Sequence, residues 1–90
     1  MEKNISAIEG KHYLTTILFL KKNPDCMKTE LYRMIPNNPN MPRKLNELEE
    51  LGLITQNRKG SRGTTILNLT EKGLRIAEYI ELIESEIRIG

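Results

Sequence analysis

The sequence predicts an α+β fold in which three helices precede a β-hairpin and one last helix follows it. Apolar residues recur at helical spacing in three successive segments, each ended by proline or glycine. After Gly52 the pattern changes to β-branched and alternating residues, which is typical of strands. Ninety residues suffice for one domain with a modest core. We therefore expect a single compact unit.

The first two helices are predicted from apolar spacing and from the residues that bound it. Ser6–Glu9 has the spacing of a capping box, and a helix is expected from Lys11 to Leu20, ended by Asn23–Pro24–Asp25. Cys26 and Met27 follow as a candidate short strand. A second short helix is then expected, with Thr29 as its cap and with three apolar residues turned inward: Leu31, Met34 and Ile35.

The third helix follows a turn rich in proline and asparagine at residues 36–40. Pro42 is tolerated in its first turn, and Gly52 is expected to end it. The residues predicted to face the core are Met41, Leu45 and Leu48.

A β-hairpin and a final helix complete the prediction. Leu53–Arg58 and Thr64–Leu69 are the predicted strands, and the basic segment 59–63 between them is a loop bounded by glycines. Thr70 is expected to cap a helix that runs to about Arg88. Three helices with a hairpin wing and a C-terminal dimerisation helix are the winged helix-turn-helix arrangement.

This arrangement has the geometry that duplex DNA requires, because the major groove admits one α-helix and a hairpin beside it reaches phosphates or the minor groove. With its apolar face inward, the third helix turns Arg43, Asn46 and Glu47 outward and places Lys44 on the flank. Arg43 has the donors to pair with guanine, and Asn46 has the amide to read adenine. Glu47 is expected to be solvated or paired with Arg43, with acceptance from cytosine as the alternative.

Basic residues around the helix suit phosphates, which supply affinity without sequence information. Arg62 lies between Gly60 and Gly63 and is expected to enter the minor groove. The complete predicted DNA-binding set is Lys28, Asn40, Arg43, Lys44, Asn46, Glu47, Arg58, Lys59, Ser61 and Arg62.

The charge distribution agrees with an anionic partner. The net charge is +2, but residues 1–70 have eleven Lys or Arg against seven Asp or Glu, and residues 71–90 have three against five. A basic body with an acidic tail indicates different roles for the two parts. We assign residues 1–70 to the winged helix and 71–90 to a dimerisation helix within the same domain.

The last helix has an apolar stripe in which isoleucines recur at spacings of four, three and four. So much apolar surface has to be covered: packing onto the chain's own first helix would cover part of it, and pairing with a second copy of the chain would cover the rest. We expect a homodimer, with a monomer as the alternative. The predicted interface is Leu74, Ile76, Ile80, Ile83 and Ile87.

Other classes of function find little support in the sequence. The longest apolar run, Ile17–Leu20, is four residues, so neither a membrane span nor a secretory signal is expected. His12 is expected to be a packing residue, and Cys26 a buried inert thiol, with a redox switch as the lesser alternative. We find no catalytic or metal-binding arrangement and expect a cytoplasmic protein that is not an enzyme and has no cofactor.

Three segments resemble known regulators. Ile8–His12 followed by Ile17–Leu18 resembles the opening of HxlR-type regulators, while Leu45–Ile54 and Leu69–Gly73 are similar to segments shared by HxlR-, MarR- and ArsR-like winged helices. The resemblance implies a homodimeric transcription factor that binds palindromic operators and often responds to a small molecule or redox signal. This chain departs from the HxlR pattern at His12, where tryptophan is usual. Its turn after Ile35 is also shorter, and it lacks the N-terminal reactive cysteine of redox-sensing members.

These observations favour a sequence-specific DNA-binding regulator with double-stranded DNA and a second copy of itself as partners. A small-molecule effector, if the protein has one, is not identified by the sequence. One alternative is a winged-helix module that uses the same surface to bind a protein. A weaker alternative is nonspecific coating of DNA.

Overall fold

The computed structural model describes residues 3–35, 40–59 and 63–89. It confirms the predicted α+β winged-helix fold, with a three-stranded antiparallel sheet in the order β1-β3-β2. The described elements are a 3-10 helix at Ile5–Ile8, α1 at Tyr13–Lys22, β1 at Cys26–Met27, α2 at Lys28–Met34, α3 at Met41–Glu50, β2 at Ile54–Lys59, β3 at Thr64–Leu69 and α4 at Glu71–Ile89.

The sheet joins the hairpin to the helices. β2 pairs with β3 from Ile54 opposite Leu69 to Lys59 opposite Thr64, and the predicted strand boundaries are correct to within a residue. β1 pairs with the other edge of β3, with Cys26 opposite Leu67. Because α2 begins directly after β1, the sheet fixes where the second helix starts.

The core lies between the helices and one face of the sheet. Burial of apolar surface is the main favourable term in folding, and the core residues come from every α-helix and strand described. The largest fully buried apolar side chains are Ile17, Leu20, Leu31, Met41, Leu45, Leu48, Ile54 and Leu67. The prediction that Met41, Leu45 and Leu48 anchor α3 is therefore confirmed.

Two predicted details of the short helices are wrong. Thr29 does not cap α2, because the helix already begins at Lys28 and extended Met27 occupies the cap position without a side-chain hydrogen bond. Met34 is 61% exposed, and the buried side chains here are Leu31 and the C-cap residue Ile35. In the 3-10 helix the cap is Asn4, whose side chain accepts a hydrogen bond from the Ser6 amide.

The start of α4 is fixed as predicted. Thr70 Oγ1 accepts a hydrogen bond from the Gly73 amide at 3.0 Å, which satisfies one of the free N–H groups of the first turn. Further along, Ala77 and Ile80 are buried in the core. Lys21 of α1 forms an ion pair of 2.7 Å with Glu81 of α4, so the two helices are also joined at the surface.

The apolar stripe of α4 divides into two parts. Ile80 is 8% exposed and packs within its own chain, so its predicted place in a dimer interface needs correction. Ile76 also packs against this core but is only half-buried, and its place in an interface stays a prediction. The reason for the burial of Ile80 is that α1 covers the first half of α4. Beyond it the helix continues without cover, and four apolar side chains are at least 60% exposed: Leu82, Ile83, Ile87 and Ile89.

Candidate nucleic-acid interface

The outer face of α3 holds the polar side chains that the sequence placed there. Its apolar face is buried, and Arg43 and Asn46 are exposed on the opposite side. Asn40 is exposed immediately before the first turn, and Glu50 is exposed at the last residue. The helix ends where expected, because Gly52 has φ of 79°, a left-handed conformation that glycine adopts without strain.

Lys44 is not on the exposed flank. It is 8% exposed, its ammonium donates a hydrogen bond to the main-chain carbonyl of Lys11, and it lies 5.4 Å from the centre of the Tyr13 ring. Lys44 is three residues after Met41 and next to Leu45, so the helix turns its aliphatic stem toward the core. The expected exposure of Lys44 is wrong, and we exclude it from the candidate interface.

Glu47 has a partner that the sequence did not reveal. Its carboxylate accepts a hydrogen bond from the hydroxyl of Tyr13, at the start of α1. No salt bridge joins Glu47 to Arg43 within residues 3–35, 40–59 and 63–89, although the two are one helical turn apart. Burial, followed by the hydrogen bond to Glu47, raises the pKa of Tyr13 above its usual value. The hydroxyl therefore stays protonated, and able to donate, up to a higher pH than in an unperturbed tyrosine.

A second hydrogen-bonded group connects α3 to the first residues of the wing. The main-chain N–H of Gln56 donates to Glu49 at 3.1 Å, and its side-chain Nε2 donates to the same carboxylate at 3.3 Å. Nε2 also donates to Asn46 Oδ1 at 3.0 Å. Because a carboxylate only accepts, it fixes the orientation of the Gln56 amide. Asn46 is thereby held with its oxygen toward Gln56.

The wing presents basic side chains on β2. Arg58 and Lys59 are exposed, and the Arg58 guanidinium packs over the backbone of Gly63, which has φ of 70°. A Cβ at position 63 would overlap with that guanidinium. The predicted tip residues Ser61 and Arg62 lie outside the described residues. Lys28 is half-buried at the first residue of α2.

The two residues that could suggest other chemistry are accounted for by packing. Cys26 is 2% exposed, and burial, with a smaller contribution from Glu30, raises the pKa of its thiol. His12 is half-buried before α1, in a left-handed conformation with φ of 71°. Across the described parts of the chain, no three His, Cys, Asp or Glu side chains are grouped to hold a metal ion. Nor is any described helix long and apolar enough to cross a membrane.

A solved structure with the same architecture has DNA bound. The chain is similar to a transcriptional repressor, CouR, in a structure with a 23-mer DNA duplex, with a TM-score of 0.71 and 30% sequence identity. The match covers 93% of this chain and 63% of the CouR chain, so this chain spans slightly less than two thirds of that protein. No protein-family model matches the sequence. No curated protein matches it either.

Sequence reasoning missed three residues that support the candidate interface through hydrogen bonds. Tyr13 contacts Glu47, and Gln56 contacts Asn46, which are both predicted DNA-binding residues. Glu49 in turn fixes the orientation of Gln56. Tyr13 and Glu47 are 34 positions apart, and no local pattern relates them. The one available signal was the phenol at the start of an apolar helix face, since a buried tyrosine hydroxyl usually has a hydrogen-bond partner.

Proposed function

We propose that this protein is a transcriptional regulator that binds double-stranded DNA with α3 in the major groove and the wing along the backbone or minor groove. One observation carries the proposal. α3 is anchored by a buried apolar face and exposes Arg43 and Asn46, in a fold that matches a repressor with bound duplex DNA. An exposed polar helix face beside a basic hairpin is the surface that groove binding requires.

The contacts divide into those that read bases and those that bind phosphates. Arg43 is exposed and forms no ion pair with Glu47, so its guanidinium is available to guanine. Asn46 is proposed as the second base reader. The proposed contacts to the backbone or minor groove are Lys28, Asn40, Arg58, Lys59, Ser61 and Arg62.

We also propose that the protein acts as a homodimer through the exposed apolar side chains of α4. Ile83 and Ile87 of the predicted interface are 60% and 75% exposed, and Leu74 is 43% exposed. Two copies paired there would cover apolar surface that one copy leaves in water. A two-fold axis would set two recognition helices about 34 Å apart, one turn of duplex. Residues 1–70 then bind DNA, and residues 71–90 supply the pairing helix.

The resemblance of Ile8–His12 and Ile17–Leu18 to HxlR-type regulators supports membership of that group within the wider winged-helix regulators. We propose in addition that the protein is cytoplasmic and that it is not an enzyme. We propose no effector, because no described residue identifies its chemistry.

One feature of α3 favours a different function. Glu47, Glu49 and Glu50 place three carboxylates on the C-terminal half of the helix, and carboxylates close to phosphates repel them. A basic protein partner would favour the same residues. Two of the three carboxylates are already engaged within the chain, Glu47 by Tyr13 and Glu49 by Gln56, which supports the DNA-binding proposal over this alternative.

Selection of duplexes from a random pool tests the proposal directly. We expect enriched sites with two-fold symmetry and an affinity that falls with salt, with a log–log slope of about −0.9 for each phosphate neutralised. Arg62→Ala should weaken binding to all duplexes. Arg43→Ala should in addition reduce base preference by about 1–3 kcal/mol. Absence of binding to any duplex at low salt would contradict the proposal and favour the protein-binding alternative.

A further inference from the structure

We propose that Tyr13 is a positioning residue for DNA binding, because its hydroxyl holds the Glu47 carboxylate against the body of the domain and keeps it from Arg43 and from the phosphates. This inference rests on the proposed function. It assigns a task to a residue that lies on α1, outside the helix-turn-helix and the wing, and that does not itself face the duplex.

The geometry supports this task. Tyr13 is 7% exposed, so its ring is fixed in the core, whereas Glu47 on α3 is half-buried at the edge of the candidate interface. The phenol hydroxyl donates to Oε1 of Glu47. Arg43 lies one turn earlier on α3 and has an exposed side chain. The hydrogen bond holds Oε1 of Glu47 at Tyr13, and among the described residues no salt bridge joins Glu47 to Arg43.

The Tyr13 ring is itself held in place from a second side. The Lys44 ammonium lies 5.4 Å from the ring centre, and the main-chain carbonyl of Lys11 accepts a hydrogen bond from that ammonium. These residues line a cleft of about 390 Å³ between the segment before α1 and the start of α3. Its 7% exposure and the Lys44 ammonium over its face, and not the cleft, limit how far the ring can follow Glu47 if the carboxylate moves.

Without the Tyr13 hydroxyl, the negatively charged Glu47 carboxylate would be free to move on the helix that is proposed to face DNA. Glu47 could then pair with Arg43 across one turn, which occupies the proposed guanine-reading side chain, or repel the phosphates. Exposed ion pairs and charges at the rim of an interface have modest effects. We therefore expect Tyr13→Phe to weaken DNA binding about three- to tenfold.

A double-mutant cycle tests the inference. The affinity of one duplex recovered from the random pool is measured for the native protein, Y13F, E47Q and Y13F/E47Q by fluorescence anisotropy, with thermal melting of each variant to establish folding. We expect Y13F to weaken binding, E47Q to bind at least as tightly as the native protein, and the double variant to bind like E47Q. Tyr79→Phe is the matched control, because it removes the same hydroxyl from an exposed tyrosine on α4 and should leave affinity unchanged.

Two results would overturn the inference. If Y13F binds DNA as tightly as the native protein, Tyr13 does not position Glu47. If Y13F loses affinity equally with and without E47Q, Tyr13 acts through the fold rather than through the carboxylate. In both cases the native protein still binds its duplex and the proposed function stands. If the native protein binds no duplex, the proposed function fails and the inference falls with it.

Discussion

Gly73, in the first turn of α4, lies directly against the main-chain carbonyl of Leu53 at the start of the wing. A Cβ at position 73 would stand 2.9 Å from the carbonyl carbon and closer still to its oxygen. Neither atom can move without shifting β2, because Leu53 also accepts a hydrogen bond from the Thr70 amide. The close approach of α4 to the base of the wing therefore requires glycine here.

Gly73→Ala should consequently destabilise the protein, although alanine is the better helix former by about 1 kcal/mol. We expect the free energy of unfolding to fall by about 1–3 kcal/mol, the usual cost of forcing an extra carbon into a packed site. Urea denaturation measures it. Ser85→Ala, at an exposed position of the same helix, is the control and should change stability by less than about 0.5 kcal/mol. A stabilised G73A variant would show that α4 does not pack this closely.

Lys44→Met tests whether Lys44 is correctly excluded from the residues that bind DNA. Methionine keeps an unbranched apolar stem and removes the ammonium, which donates to Lys11 and belongs to a side chain that is only 8% exposed. We expect the salt dependence of DNA binding to be unchanged. Lys59→Met, at an exposed position of the wing, should reduce the slope by about 1.8, because a dimer of the variant neutralises two phosphates fewer. Equal reductions in the two variants would return Lys44 to the residues that bind phosphates.

Gln56→Leu should change which base Asn46 prefers. In the native chain Gln56 donates to Asn46 Oδ1, so Asn46 offers its NH₂ group more readily than its oxygen. Without that donor the whole amide is available to the two-bond pattern of adenine. We expect discrimination to shift toward adenine by less than the roughly 1–3 kcal/mol of a full bidentate pair.

The comparison is made at the base position where Asn46→Ala abolishes the base preference. Random-pool selection with the native protein and with that variant identifies this position. Thr55→Val, the neighbouring residue of β2, is the control and should keep the native preference. If Q56L and the native protein select the same bases at that position, the hydrogen bond does not tune recognition.

Substitutions in the two parts of the α4 stripe should have different results. Ile83→Asp and Ile87→Asp place a charge at side chains that are 60% and 75% exposed within the chain, so each variant should fold but sediment as a monomer. Ile80→Asp buries an unpaired charge in the core and should prevent folding. Ser85→Asp, at another exposed position of α4, should remain a dimer. A native protein that sediments as a monomer would contradict the proposed pairing.

Local signals in the sequence were enough to predict the elements and the anchor of α3. Helical spacing, Pro42 in the first turn and Gly52 define that helix, and Thr70 marks the start of the next one through a hydrogen bond to a residue only three positions away. The predicted turn at residues 36–40 lies almost wholly outside the described residues. Predictions of this kind succeed because the interactions that decide them lie within one turn of the chain.

The errors arose where distant residues decide the outcome. Lys44 is buried because Lys11 and Tyr13 provide a carbonyl and a ring for its ammonium, and both lie 31 or more positions away. Ile80 was assigned to a partner because the sequence does not indicate how far α1 extends along α4. Met34 was placed in the core because it is apolar and lies three residues after Leu31, but the structure leaves its side chain exposed.

The two hydrogen bonds from Gln56 to Glu49 have a consequence for the shape of any duplex that fits this protein. These hydrogen bonds join helix α3 to strand β2 and oppose the tilting of one element without the other when the double helix is irregular. A duplex that fits would therefore need one particular spacing between the groove that α3 enters and the neighbouring groove beside the wing. Stiff and flexible base steps differ in how easily they reach that spacing, and selection among targets would then extend to positions that no side chain touches.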